Sequence, residues 1–321
     1  MPLLNFMLPL EKLIDQRLLP FCRGIGAAAK RQRMNAYLVG GSVRDLFLGH
    51  HSPDLDFMLE GDAISFLAWL RERWPLLLPD CPHPDRIVPY RRYRTVKIFF
   101  DKPLAPGIDR VDFASARRET YPTPGGRPVV EPGTLAEDLA RRDFSVNAMA
   151  LSLAPDAFSG CHDDFGGEED IRARRIRILH QQSFVDDPAR LIRAVRFLVR
   201  LGFELEETTA RLFQQALEEK LLAAVPRFRV FDEFRKALSE PDSAAVLAQL
   251  EAAGLLLQIH PRLSLRALQE ARSAGRRQES WRDTLGVLLS HCSAAERESA
   301  LKSFELPQAD IAALMEEWRC I

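Results

Sequence analysis

The chain has 321 residues, 46% of them hydrophobic and 28% charged, enough to bury sizeable cores in two or three domains. It has no run of about 18 apolar residues, which argues against a membrane-spanning helix, and its net charge of −1 gives no global attraction to nucleic acid. Cys22, Cys81, Cys161, Cys292 and Cys320 lack C-x-x-C spacing and read as the reduced thiols of a cytoplasmic protein, with no disulfide frame or zinc site.

Residues 5–33 predict an amphipathic helix. Glu11, Lys12, Asp15 and Arg17, with no basic leader, separate it from a signal peptide. A short strand over 36–39, a tight turn at Gly40-Gly41 and a helix over 42–48 follow, then a strand over 55–59 and a helix over 63–74. Residues 38–56 read L-V-G-G-S-V-R-D-L-F-L-G-H-H-S-P-D-L-D. Asp54 and Asp56 are two apart, the spacing that sends side chains to one face of a strand, so both carboxylates can hold one divalent cation. The glycines let backbone N–H groups approach an anion at a helix N-terminus, and Arg44 follows Gly41 at a distance suited to a bound triphosphate. Taken singly, the glycine turn also serves tight packing, and D-x-D also occurs in solvated turns. Together they are the minimum equipment for metal-assisted nucleotidyl transfer.

Strands are expected over 95–100 and 110–114, with a loop over 103–107 between them. Asp112 in R-V-D-F-A is the candidate third carboxylate; the alternative is an edge-strand aspartate. Residues 121–133 are rich in proline and glycine without periodicity, a loop long enough to be functional or mobile. A helix starting at 135 is expected to run into R-R-D-F-S-V-N-A, where Asp143 and Asn147 would share a face. Arg142, Asp143 and Asn147 could gather around a sugar and its phosphates, or simply form a capped, buried helix start. Cys161, His162 and Asp163 read as a loop without metal. A turn at 165–167 and a strand over 175–179 close the first part.

From Asp187 onward the apolar pattern is helical, with Leu191, Val195 and Leu198 on one stripe. Further helices are expected over 208–222, 230–238, 244–253 and 263–274, from Trp281, and over 308–320. The fold class is α+β: a mixed-sheet head with helices, then an all-helical neck and body, divided as 1–180, 181–262 and 263–321. Only seven of the 44 basic residues are lysine, and the arginines cluster. Arg190, Arg193 and Arg196 recur at helical spacing. A carboxylate at Asp187 beside a guanidinium at Arg190 would accept from an amino group and donate to a ring nitrogen, which suits cytosine and adenine and mismatches uracil and guanine. Asp187-Pro188 is equally a good N-cap with proline at N1.

Four segments carry a resemblance: 38–56, R-R-D-F-S-V-N-A-M-A at 141–150, D-F-G-G-E-E-D-I-R-A-R-R-I-R-I at 164–178, and D-P-A-R-L-I-R-A-V-R-F-L-V-R-L-G-F at 187–203. In that order they resemble the motifs of the bacterial-type tRNA nucleotidyltransferase/poly(A) polymerase family. The resemblance implies a polymerase-β-like head and Mg²⁺-dependent addition of C and A from CTP and ATP to the 3′ end of tRNA or another RNA. It implies triphosphate contacts at Gly41 and Arg44, metal ligands at Asp54 and Asp56, and nucleotide contacts at Arg142, Arg193 and Arg196. Asp187 and Arg190 match the base-reading pair. Two departures stand out: Asp186 replaces the family's usual Glu, and Arg227 and Arg229 precede the neck helix where another polar sequence is usual. Poly(A) synthesis, addition of CC or A alone, and a non-catalytic RNA-binding homologue are the alternatives, the partial enzymes being suggested by a C-terminal part shorter than is common.

Overall fold

The computed structural model describes residues 14–50, 54–274 and 280–318. The chain forms two units, Met1–Thr120 with Val129–Leu179, and Tyr121–Pro128 with His180–Ile321.

The first unit runs α1 (Leu19–Arg31), β1 (Asn35–Val39), α2 (Gly41–Phe47), β2 (Leu55–Glu60), α3 (Ala63–Arg71), α4 (Trp74–Leu77), β3 (Arg86–Tyr90), β4 (Thr95–Phe99), β5 (Arg110–Ser115), β6 (Arg117–Thr120), β7 (Val129–Pro132), α5 (Leu135–Ala140), β8 (Ala150–Ser152), β9 (Cys161–His162) and α6 (Gly167–Arg172). Its main sheet has the order β3-β4-β5-β2-β1-β8-β9. β2 and β5 run parallel, and the other neighbours antiparallel.

Alternation along the strands gives the sheet two unlike faces. Leu55, Phe57, Leu59, Val96, Ile98, Val111 and Phe113 are buried on one. There Phe57 stacks on Phe113 with centroids 4.8 Å apart, and Phe21 of α1 meets Phe57 edge-on at 5.5 Å. The opposite face carries a smaller cluster, Tyr37, Val39, Met58 and Ala150, covered by Leu135 and Leu139 of α5. Glu60 pins this helix, accepting from the Leu135 N–H at 2.7 Å and the Tyr37 hydroxyl at 3.2 Å. A Thr134–Glu137 capping box starts it.

Several elements differ from expectation. The helix beginning at Leu135 stops at Ala140; Ser145–Asn147 is a 3₁₀ turn, and Phe144 bridges to Ile178. Polar alternation and Pro89 hide β3, an edge strand where proline is tolerated. Part of the expected loop at 121–133 is β7, whose partner is β6. Residues 5–13 of the expected first helix lie outside the described residues.

In the second unit, α7 (Ser183–Asp186), α8 (Arg190–Leu201), α9 (Glu207–Glu218), α10 (Arg227–Leu238), α11 (Ser243–Ala252), α12 (Leu255–Ile259), α13 (Leu265–Ser273), α14 (Trp281–Leu288), α15 (Ala294–Ser303) and α16 (Gln308–Glu317) follow one another, apart from a two-residue strand at Glu204–Leu205. α8 buries Leu191, Ile192 and Val195 and ends at Gly202, whose φ of 63° suits glycine. α8 begins at Arg190 with Ala189 as its cap residue, so Pro188 lies before the cap and not at N1 as expected. Among the described residues, no helix is long and apolar enough to cross a membrane.

Removing the aromatic stack beneath the carboxylate face tests this architecture. Phe57→Ala is expected to cost about 3–5 kcal/mol in urea unfolding; a loss below about 1 kcal/mol would show that the stack does not anchor the sheet.

Candidate functional site in the head

In the first unit, β2 and β5 set two carboxylates side by side. Their parallel register pairs Asp56 with Asp112. Burial first, then the Asp112 and Asp54 charges, push the Asp56 carboxyl up to about 6, against the opposing pull of Arg142 and Arg110. Asp112 Oδ1 is buried without a hydrogen-bond partner. Cations crowd around these acids. Arg110 contacts Asp54 Oδ1 at 2.7 Å and lies 3.7 Å from Asp112 Oδ1, and Lys97 Nζ lies 3.3 Å from Asp112 Oδ2. Asp54 itself is exposed.

The glycine turn ends at the same place. Gly40 caps α2 with φ 71°, and a Cβ there would meet the Arg142 guanidinium at 2.7 Å and Asp56 Oδ2 at 3.9 Å. Gly40 is thus the glycine that the close approach requires. Ser42 stitches the turn to β2 by accepting the Asp56 N–H at 3.1 Å.

Arg142 is aimed by Asp138. This buried carboxylate accepts from Arg142 at 3.0 Å and from Arg141 at 2.7 and 3.1 Å. Burial alone would raise the Asp138 carboxyl, but Arg141 and Arg142 hold it below the usual range. Arg142 also donates to the Asn147 carbonyl at 3.2 Å, while its Nε is buried without a partner.

Arg44 turns inward instead of facing solvent. It is 3% exposed, donates to Asp45 at 2.7 and 2.9 Å, and reaches Asn147 Oδ1 at 2.7 Å. Asn147 donates in turn to Asp143 at 3.0 Å, so that pair meets although no α-helix joins it. A Cβ on Gly41 would come within 3.4 Å of the Arg44 guanidinium. Arg44 therefore braces the turn from behind, and Arg142 lines its front.

The second unit holds the remaining sequence candidates. Asp187 accepts the Ala189 N–H at 3.3 Å through Oδ1 and Arg229 at 2.8 Å through Oδ2. Arg190 is buried and donates to the Ser183 hydroxyl. Arg196 is also buried, bonding Glu233 at 3.0 Å and Glu240 at 2.9 Å, and Arg193 reaches Glu233 at 3.3 Å. Burial raises the Glu233 carboxyl, yet Arg193, Lys236 and Arg196 hold it low. These two arginines thus join α8 to α10, a setting that spacing on α8 alone does not reveal. Arg227 donates to the Ile259 carbonyl.

Sequence reasoning passed over Lys97, Arg110, Asp138 and Glu233. Arg110 and Asp138 had local signals: Arg110 is two residues before Asp112 on a strand, and Asp138 stands three and four before Arg141 and Arg142. Lys97 needed the β4–β5 register.

The "Poly A polymerase head domain" profile matches residues 36–177, and the "Probable RNA and SrmB-binding site of polymerase A" profile matches 202–265. The chain is 42% identical over 207 residues to an A-adding tRNA nucleotidyltransferase of Aquifex aeolicus, covering 64% of this chain and 23% of that relative. It is 34% identical over 281 residues to a CC-adding tRNA nucleotidyltransferase of Deinococcus radiodurans, covering 86% and 69%. Its fold matches that of a CCA-adding enzyme in an apo form with TM-score 0.78 and 29% identity, over 97% of this chain and 72% of that one. The chain therefore spans less than a quarter of the Aquifex aeolicus relative and over two thirds of the Deinococcus radiodurans one.

Gly40→Ala is expected to displace Arg142 and lower triphosphate affinity at least tenfold, measured by calorimetric titration of a non-hydrolysable triphosphate. Unchanged affinity would remove the turn from the site.

Proposed function

The chain belongs to the tRNA nucleotidyltransferase/poly(A) polymerase family, and from that premise we propose that it adds C, A or both to the 3′ end of tRNA without a template. The observation that carries this reading is the Asp56–Asp112 pair set against Gly40 and Arg142. The 3′ hydroxyl of the RNA gives up its proton to solvent as its oxygen attacks the α-phosphorus of CTP or ATP; the bond to the bridging oxygen breaks, and pyrophosphate leaves.

A divalent cation fits this site on two observations: Asp56 is a half-buried acid among like charges, and Asp112 Oδ1 is buried with no donor. Among the described residues, no three His, Cys, Asp or Glu side chains close a cage. Mg²⁺ is commonly held by one or two carboxylates together with substrate phosphates. Asp54 and Asp56 would hold it, with Asp112 beside them. When bound, it would supply Lewis-acid activation of the hydroxyl and charge neutralisation of the phosphates.

The chain's own side chains supply the rest. Arg142, held by Asp138, would meet the triphosphate, while Gly40 and Gly41 leave the backbone room to approach it. Arg44 would act through Asp45, Asn147 and Asp143, keeping the turn and the sugar-facing groups in place. Asp187 would accept from the amino group of cytosine or adenine, and Arg190 would donate to the ring nitrogen. Arg229 fixes one oxygen of Asp187, and the other, which accepts the Ala189 N–H, keeps a second lone pair for recognition. Arg193 and Arg196 would carry their nucleotide role by orienting α8. The reaction belongs in the cytoplasm, where tRNA and nucleoside triphosphates meet.

The relatives' names include A-adding enzymes, a CC-adding enzyme and multifunctional CCA proteins, and product mapping separates them. Purified protein is incubated with tRNAs ending at the discriminator base, at C and at CC, with CTP and ATP supplied separately and Mg²⁺ present. Addition confined to C or A on these ends is expected. Long A tails on unrelated RNA would transfer the assignment to poly(A) synthesis, and no incorporation would overturn it. Asp54→Ala should abolish turnover without altering the thermal melt.

Acid should also slow the enzyme. The Asp56 carboxylate is lost as pH falls through about 6 in the metal-free protein, so single-turnover incorporation at limiting Mg²⁺ is expected to decline below that pH. A flat profile down to pH about 5 would contradict the assigned role of Asp56.

Arg229→Ala is expected to weaken discrimination of CTP and ATP against UTP and GTP at least tenfold. Retained discrimination would remove Arg229 from base selection.

A further inference from the structure

The face of the sheet that carries Asp56 and Asp112 is closed at one side only. α5 covers it over β1, β2 and β8, but β3 and β4 leave it open. Strand pairing aligns two rows there. One runs Asp56, Asp112, Lys97, Val88; the other runs Arg110, Phe99, Arg86. Directly paired residues share a face, so these side chains stand on the carboxylate side. Lys97, Val88, Arg110 and Phe99 are half-buried, Arg86 is exposed, and Tyr90, further along the same face of β3, is 41% exposed. The Arg86 guanidinium lies over the Phe99 ring, 4.2 Å from its centroid.

We propose that this open strip is the track on which the unpaired 3′ end of the RNA lies as it reaches the carboxylates. The proposal rests on the functional reading above and adds the place of the acceptor strand. The chemistry is that of single-strand binding: an aromatic ring and a guanidinium plane offer stacking surfaces to any base, and spaced cations meet the backbone phosphates. From Arg86 through Phe100 there is no acidic residue, although the chain as a whole carries a net charge of −1. The strip is also continuous with the site where the 3′ hydroxyl must arrive. Protection of an exposed sheet edge accounts for Pro89 and for a cation on β3. It does not account for Tyr90 and Phe99 standing half open on the carboxylate side.

The test compares wild type with Arg86→Ala/Tyr90→Ala, which leaves every residue of the carboxylate site in place. Fluorescence anisotropy with labelled tRNA lacking its 3′-terminal A follows binding without triphosphate. Steady-state kinetics then gives KM for RNA and for ATP. The double variant is expected to weaken RNA binding and raise the RNA KM about tenfold or more, leaving kcat and the ATP KM unchanged. Its log–log salt dependence should flatten by about one unit. Arg86→Lys, which keeps the charge but loses the planar stack, should keep the wild-type salt slope. Unchanged RNA affinity in a double variant with a wild-type melt would overturn the track, as would an equal rise in both KM values. Because binding is read without turnover, a wild-type chain that binds RNA but incorporates nothing would overturn the transferase reading and leave the surface to be judged by its own arm.

Discussion

The parallel pairing of β2 and β5 forces Asp56 beside Asp112, and the rest of the head is arranged around that repulsion. Adjacent strands lie about 4.8 Å apart, too close for two carboxylates to ionise freely without a cation nearby. Arg110, Lys97 and Arg142 supply positive charge from three directions. None of them gives Asp112 Oδ1 a hydrogen bond. Beneath the pair, the Phe57–Phe113 stack locks the same register from the buried face. One strand pairing thus serves both packing and chemistry, because alternation sends Phe57 and Phe113 one way and Asp56 and Asp112 the other.

Around this pair, a layer of ion pairs determines which arginines are available. Asp138 takes hold of Arg142 and leaves it against Gly40. Asp45 and Asn147 take Arg44 inward. In the second unit, Glu233 and Glu240 engage Arg193 and Arg196, while Arg229 engages Asp187. Such buried pairs need not add net stability; what they provide is orientation. The Tyr121–Pro128 segment belongs to that same unit: the Gly125 N–H bonds the Val185 and Asp186 carbonyls, and Arg229 lies 3.5 Å from the Gly126 carbonyl. The residue before Asp187 and the arginine that holds it therefore both touch this segment.

Much of this was legible in the sequence, for physical reasons that can be named. Strong periodicity revealed β2, β4, β5 and the helices from α8 onward except the short α12 and the α15 helix, and glycine placement marked the turn before α2. The two-residue spacing of Asp54 and Asp56 pointed to a shared strand face, but β2 begins at Leu55 and leaves Asp54 one residue before it. What stayed hidden depended on long-range pairing. β3 is a polar edge strand containing proline, and β8 and β9 are too short to show a pattern. The helix beyond Ala140 failed because Phe144 bridges to Ile178, a long-range pairing that local periodicity does not carry. Helical spacing put Arg190, Arg193 and Arg196 on one stripe, yet could not show that Glu233 and Glu240 come to meet two of them.

The central claim is that Asp112 shares the cation site of Asp54 and Asp56. Mn²⁺ titration followed by electron paramagnetic resonance, in wild type and in Asp112→Asn, tests it most directly. The account expects saturable binding in wild type and at least a tenfold loss of affinity in Asp112→Asn, with the thermal melt preserved. Equal Mn²⁺ affinity in the two proteins would contradict it.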